Sequence, residues 1–266
     1  MSFLEKLRKV ISEDEETKNL KVNDNDVILV YNYIQSKKQK NNVFGSRLIL
    51  KTAPFFHTVS VSTEQTHKIE FEKKLEKQHN WFNYDLNFDD ISLENFKINE
   101  SKKEILVKDY KKISNNLLLN NRGFFLYGPF NTGKTYFLKI IAKDLIKRQI
   151  PFIFVLMADL VRQFKIISWH NEVLENKLNY LKKVPYLFLD DLGSEQMNPN
   201  FRDDILFSLL NYRLENKKPL FITSNMKLND LVEHFKFQEF NSDVKANKIV
   251  VRIYKLTKSY SFNEVF

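Results

Sequence analysis

The chain contains no cysteine, so disulfides and thiolate metal sites are both excluded and a reducing compartment is the natural setting. Its five histidines are scattered and, without thiolate partners, compose no recognisable ligand set. No apolar run is long enough to span a bilayer. The start, Met-Ser-Phe-Leu-Glu-Lys-Leu-Arg-Lys, also lacks the apolar core of a secretory signal, so a cytoplasmic location is expected. Glycine is scarce too, with five in 266 residues.

Two of those five stand in Gly128-Pro129-Phe130-Asn131-Thr132-Gly133-Lys134-Thr135. The stretch follows the apolar run Phe124–Tyr127 and precedes Tyr136 and the periodic segment Phe137-Leu138-Lys-Ile140-Ile141, which reads as strand, phosphate loop, helix. A loop of this kind turns successive backbone N–H groups inward and adds the positive end of the following helix, making a seat for nucleotide phosphates. Residues 128–136 are the expected nucleotide contacts, with Lys134 on the β and γ phosphates and the Thr135 hydroxyl on Mg²⁺. ATP and Mg²⁺ are the expected cofactors.

Hydrophobic residues make up 43% of the chain and include 24 phenylalanines, enough for a sizeable core. The formal net charge of +9 is unevenly placed: residues 1–100 hold 15 Lys+Arg against 16 Asp+Glu, and the remainder holds 27 against 17. The positive field thus belongs to the part with the phosphate loop, where it suits single-stranded nucleic acid as well as ATP. Lys111, Lys112, Lys139, Lys143 and Arg162 are the candidate backbone contacts, and no base-reading motif is visible.

Residues Phe3–Ile11 and Val27–Ile34 have helical patterns, a polar break covers 37–42, and residues 1 to about 44 form a small helical module with a candidate docking face. Strand-favouring residues follow between Arg47 and Ile69, then a charged helix over Glu70–His79. The aromatic cluster Trp81-Phe82-Asn-Tyr84 is suited to stacking on bases, but packing of a linker against the next domain is the more frequent role of such a cluster. We divide the chain into 1–100, a partner-binding region with its linker, and 101–266, a nucleotide-binding domain. In the latter a helix over 103–116 is followed by short apolar strands alternating with amphipathic helices: strands at 123–127, 152–156, 186–191 and 219–225, helices at 134–148, 158–167, 173–183 and 202–215. That alternation predicts an α/β fold with a parallel sheet covered on both faces, its ligand beyond the carboxyl ends of the strands.

Asp190 and Asp191 close one such strand. Asp190 is expected on the Mg²⁺ water shell opposite Thr135, and Asp191 is expected to orient the attacking water as general base. Asn225, ending the next strand, can hydrogen-bond that water or the γ-phosphate. Positive charge against the transition state is expected from an arginine of a neighbouring subunit, which implies self-association through the ATP site. Arg252 is the first candidate, with Arg202 and Arg213 behind it.

The run Val184-Pro185 through Leu189-Asp190-Asp191-Leu192-Gly193-Ser194-Glu195, then Phe201-Arg202-Asp203-Asp204, Asn211-Tyr212-Arg213 and Phe221-Ile222-Thr223-Ser224-Asn225, resembles the bacterial replicative-helicase loaders of the DnaI and DnaC type. The resemblance covers about residues 85 to 262. It implies an AAA+ P-loop ATPase core without a carboxyl-terminal helical lid, plus a smaller amino-terminal domain. It further implies a part in delivering the replicative DNA helicase onto single-stranded DNA at an origin or restart site, while the short carboxylate of Asp191 predicts slow ATP turnover. The family's Walker A residues fall on Gly128, Gly133, Lys134 and Thr135, its Walker B acids on Asp190 and Asp191, its sensor-1 residue on Asn225 and its arginine finger on Arg252. Three departures stand out. The zinc site of DnaI-type amino-terminal domains lacks its thiolates here, Asn131 replaces a frequent glycine, and Asp191 stands where many AAA+ proteins have Glu. An IstB-type transposition helper is the nearest alternative, with a small-molecule phosphotransferase or a nonhydrolysing ATP-bound adaptor behind it.

Overall fold

The computed structural model describes residues 2–38, 46–85, 87–88, 90–96, 100–115 and 122–262. Residues 39–42 of the expected polar break and Asn116 of the expected helix lie outside them. The chain forms two compact units, Met1–Lys73 and Lys74–Phe266.

In the first unit, α1 (Phe3–Glu13) is opened by a capping box: the Ser2 hydroxyl accepts from the Glu5 N–H while the Glu5 carboxylate accepts from the Ser2 N–H. It packs on α2 (Val27–Lys38), and Leu7, Ile11, Val22, Val27, Val30, Tyr33 and Ile34 form the small core. Strands β1 (Ser46–Lys51) and β2 (His57–Ser62) pair antiparallel. Leu48 and Leu50, two residues apart and hence on one face, lie against that core. Phe3 and Ile28 remain exposed on the two helices.

Helix α3 (Glu64–Asn80) carries the chain into the second unit, which continues with α4 (Glu100–Asn115), β3 (Gly123–Tyr127), α5 (Lys134–Lys147), β4 (Phe152–Leu156), α6 (Met157–Ile166) and α7 (Asn171–Lys183). Then come β5 (Tyr186–Leu192), α8 (Phe207–Glu215) preceded by a π-helical turn over Phe201–Leu206, β6 (Leu220–Ser224), α9 (Leu228–His234), α10 (Ser242–Leu256) and β7 (Thr257–Ser261). The five strands are parallel in the order β4-β5-β6-β3-β7. The four apolar strands expected from the sequence are all present; the fifth, β7, is polar and was not expected.

Phenylalanine explains how this sheet is filled. Because side chains alternate across a strand, Phe154, Phe188, Phe221 and Phe124 line up on neighbouring strands. Their rings lie 5.3, 4.8 and 5.6 Å apart in succession. Phe137 of α5 covers Phe124, while Ile153, Leu187, Leu189 and Ile222 belong to a second cluster with α6, α7, α8 and α10. At the β4 edge the buried His79 Nε2 accepts the Phe154 N–H at 3.1 Å and Nδ1 bonds to Leu75 O at 2.9 Å, which fixes the neutral tautomer. Burial pushes the His79 pKa down to about 4. Trp81 and Phe82 pack on Tyr180 and Lys177, as expected of that aromatic cluster. Residues 74–85, 87–88 and 90–96 thus belong to the same compact unit as the phosphate loop.

Arg202 and Arg213, the reserve choices for an arginine acting on a neighbour, are fully buried, which removes both from that role. Arg213 donates to the carbonyls of Leu181, Val184, Pro185 and Pro219, pinning the entries to β5 and β6. Arg202 is forked onto Asp203 and paired with Glu239, with Phe235 O and the Ser242 hydroxyl completing its partners.

Candidate nucleotide site

The three sequence motifs meet at the carboxyl ends of β3, β5 and β6. After β3 the backbone turns sharply at Gly128, whose φ is +145°; a Cβ there would lie 2.0 Å from Phe262 O, so only glycine fits. Asn131 takes φ +56°, the left-handed region that Asn tolerates best among residues with side chains, so the loop keeps its shape without a third glycine. Gly133 follows at φ +84° and α5 begins at Lys134. The N–H groups of Gly128 and Phe137 are taken by Ser224 O and Gly133 O. Those of residues 131–136 find no acceptor among the described residues. A row of free donors at a helix amino terminus is what a phosphate chain requires.

Around that row the side chains form two linked sets. Lys134 Nζ donates to Gly128 O at 2.8 Å, Pro129 O at 2.5 Å and Asn225 Oδ1 at 3.1 Å. The Asn225 Nδ2 in turn donates to Asp191 Oδ1 at 2.8 Å. Alongside, the hydroxyls of Thr135 and Thr223 donate to Asp190 Oδ1 at 2.8 and 2.6 Å. Thr223 Oγ1 also accepts the Asp191 N–H at 2.7 Å, so one hydroxyl spaces both acids. Asp191 itself sits at φ +58°, where β5 shifts register between Leu189 and Leu192.

The electrostatics suit a charged ligand. Desolvation pushes the Lys134 ammonium below its ordinary pKa, against the pull of Asp191 and Asp190. Burial raises Asp190 above the usual carboxylate range despite its two hydroxyl donors. A triphosphate with a divalent cation would relieve both, and the donor set fits: free amides and Lys134 for phosphate, Thr135 and Asp190 for the metal.

Other expected residues are placed differently. Tyr136 turns from the loop toward the preceding segment, where its hydroxyl bonds to Ser92 N–H at 3.1 Å and its ring stacks on Phe96. Phe96, given no role by sequence, packs against Gly133 and Phe137. Phe130 projects into solvent, 70% exposed. Lys143 holds Ile91 O, while Lys112 and Arg162 pair with Asp109 and Asp159 on their own helices. Arg252 lies on α10 against α8 and bonds to no residue of the loop or the acid pair. The sequence reading also missed Glu195, which accepts from Gly193 N–H and bonds to His234 Nε2, each at 2.8 Å, bracing the turn after β5 against α9.

Residues 53–253 match the model of one protein family, the IstB-like ATP binding proteins. The chain belongs to that family. Among curated relatives, the IstB-like chain is 35% identical over 149 residues to the replicative helicase loader DnaI of Bacillus subtilis, 55% of this chain and 47% of that protein. It is 28% identical over 138 residues to the replicative helicase loader DnaC of Buchnera aphidicola, 51% and 55% of the respective chains. The chain spans about half the length of these curated relatives. A crystal structure of DnaI superposes with a TM-score of 0.59 at 32% identity, over 64% of this chain and 89% of that one. AMPPCP-bound DnaA from Aquifex aeolicus, at 20% identity and a TM-score of 0.53 over 65% of this chain and 50% of its own, shares the fold. The second unit is thus an AAA+ nucleotide-binding fold, and no described helix is long and apolar enough to cross a membrane.

Proposed function

We propose that this IstB-like protein is an ATP-hydrolysing loader that delivers a replicative DNA helicase onto single-stranded DNA during replication initiation or restart. One observation carries the reading: Lys134, Asn225 and Asp191 are linked beside Thr135, Asp190 and Thr223, in a chain 35% identical over 149 residues to a named helicase loader. When bound, ATP supplies the phosphoanhydride to be cleaved, and Mg²⁺ supplies the charge that neutralises it. The amides of 131–136 bind phosphate oxygens, and Lys134 exchanges its carbonyl acceptors for them. Thr135 and Asp190 would hold the metal. Asp191 accepts the proton of the attacking water, and Asn225, already bonded to both Lys134 and Asp191, orients that water. Arg252 reaches the γ-phosphate of a neighbouring copy. Asp191 is one methylene shorter than Glu, and turnover is accordingly slow.

Exposed Phe3 and Ile28 of the first unit offer the helicase a docking face, and the basic second unit offers DNA a phosphate-binding surface whose affinity falls steeply with salt. Co-purification with the replicative helicase, with and without ATP, tests the reading. Helicase should be retained with the wild-type chain in a nucleotide-dependent way, and Lys134→Ala should remove that dependence. Two curated relatives, DnaI and DnaC, are named replicative helicase loaders, which favours this reading over a transposition helper. Recovery of a transposase and no helicase would reverse the choice.

A further inference from the structure

Arg252 is held in place by its own chain. Its Nε and Nη2 donate to Asn211 Oδ1 at 3.0 and 2.9 Å, and its Nη1 donates to Lys248 O at 2.9 Å. The guanidinium carbon lies 4.1 Å from the centre of the Phe207 ring. Asn211 is oriented in turn, because its Nδ2 donates to Glu215 Oε1 at 2.6 Å and so leaves its carbonyl oxygen toward Arg252. Phe207, Asn211 and Glu215 recur every fourth residue along one face of α8. Three of the five guanidinium N–H groups are committed to these partners, and the remaining two, on Nη1 and Nη2, have none among the described residues. On the same helix as Arg252, α10 exposes Val244, Val251 and Tyr254.

An arginine that must meet a phosphate on another molecule loses rotamer freedom on arrival, and one already clamped has less to lose. Stacking on one ring face and forking onto one amide oxygen fix both the plane and the rotation of the guanidinium while leaving donors at its far edge. We infer that Asn211 and Phe207 are positioning residues that hold Arg252 in the orientation in which it meets the nucleotide of a second copy of this chain. The inference rests on Arg252 acting in trans, and the experiment separates the two.

Steady-state ATP turnover of the full chain is measured with saturating single-stranded DNA. Arg252→Ala should lower turnover by about 1000-fold, the scale of a lost arginine finger. Asn211→Leu should lower it about 10- to 100-fold with ATP affinity unchanged, the cost of a misaimed group. Asn211→Leu chains are then mixed with Lys134→Ala chains, which cannot turn over ATP but keep Asn211 and Arg252. Turnover should return, and it should not return when the added chain carries Lys134→Ala together with Asn211→Leu. Normal turnover of Arg252→Ala would overturn the trans assignment and the positioning role with it. A slow Arg252→Ala beside a normal Asn211→Leu would overturn the positioning role alone, as would an Asn211→Leu defect that mixing does not rescue. Should Asn211→Leu fail to bind ATP, Phe207→Leu, which keeps apolar bulk but removes the ring face, enters the same mixing scheme with the same outcomes.

Discussion

At the amino-terminal ends of β5 and β6 the sheet buries a guanidinium; at their carboxyl-terminal ends it buries an ammonium and a carboxylate. The first is committed. Arg213 serves carbonyls from two separate segments, 181–185 and Pro219, with no carboxylate bonded to it among the described residues. The second is exchangeable, since Lys134 bonds to the carbonyls of its own loop and to an amide already shared with Asp191. A buried cation that joins distant backbone segments is a staple, whereas one folded onto a loop full of free N–H groups is a site waiting for an anion.

The sharpest way to break this contrast is to truncate each cation. Arg213→Ala leaves several buried carbonyls without donors, at about 1–3 kcal/mol each, so the second unit should lose more than about 4 kcal/mol or fail to fold. Urea denaturation measures it, and a loss below about 1 kcal/mol would mean that Arg213 is no staple. Lys134→Ala should do the opposite. Its bonds to Pro129 O and Asn225 Oδ1 are only half-buried, so the unfolding midpoint should fall far less than for Arg213→Ala while ATP affinity, read by titration with a fluorescent nucleotide, falls about 100-fold. If both variants unfold the protein alike, the distinction between the two ends fails.

The same contrast explains what was legible in the sequence. The loop, the acid pair and Asn225 announce themselves because glycines, a lysine and carboxylates interrupt buried apolar strands. Strand β7 does not, for Thr257–Ser261 has no apolar run and becomes a strand only by pairing with β3, Gly123 opposite Thr257. Arg202, Arg213 and Arg252 look alike in sequence; only tertiary packing decides which is buried. The stacking of Phe96 on Tyr136 spans forty positions and no local pattern encodes it. Thr223 was read as part of a motif, but its hold on both acids depends on the register of β5 against β6.

At the β4 edge a third buried group sharpens the comparison through pH. His79 is neutral when folded, with its pKa pushed to about 4 from the ordinary 6.5. Between those values the unfolded chain binds the proton that the folded chain refuses. Stability is therefore unaffected above about pH 6.5, falls as pH drops through the window, and levels near pH 4, with a total of about 3 kcal/mol. His79→Gln, which removes the titrating group, should flatten the stability profile between pH 6.5 and 4.5 as measured by denaturant midpoints. An unchanged slope would place the acid sensitivity elsewhere.

The smallest expected effect lies at Thr223, where stability and chemistry separate. Thr223→Val keeps the shape of a buried strand residue but removes the hydroxyl that donates to Asp190 and accepts from the Asp191 N–H. One unsatisfied amide and one weakened carboxylate contact cost about 1–2 kcal/mol of stability. The larger consequence is geometric: Asp191, at φ +58°, loses the bond that keeps its backbone turned, and its carboxylate drifts from the position the proposed mechanism needs to accept the proton of the attacking water. Turnover should fall about 10-fold, since small misplacements of a catalytic group are costly. ATP affinity, set by the loop amides and Lys134, should stay within about twofold. Thr223→Ser, which retains the hydroxyl, should restore most of the rate. A Thr223→Val variant that weakens ATP binding while hydrolysing at the normal rate would show that this end of the sheet is braced by another group.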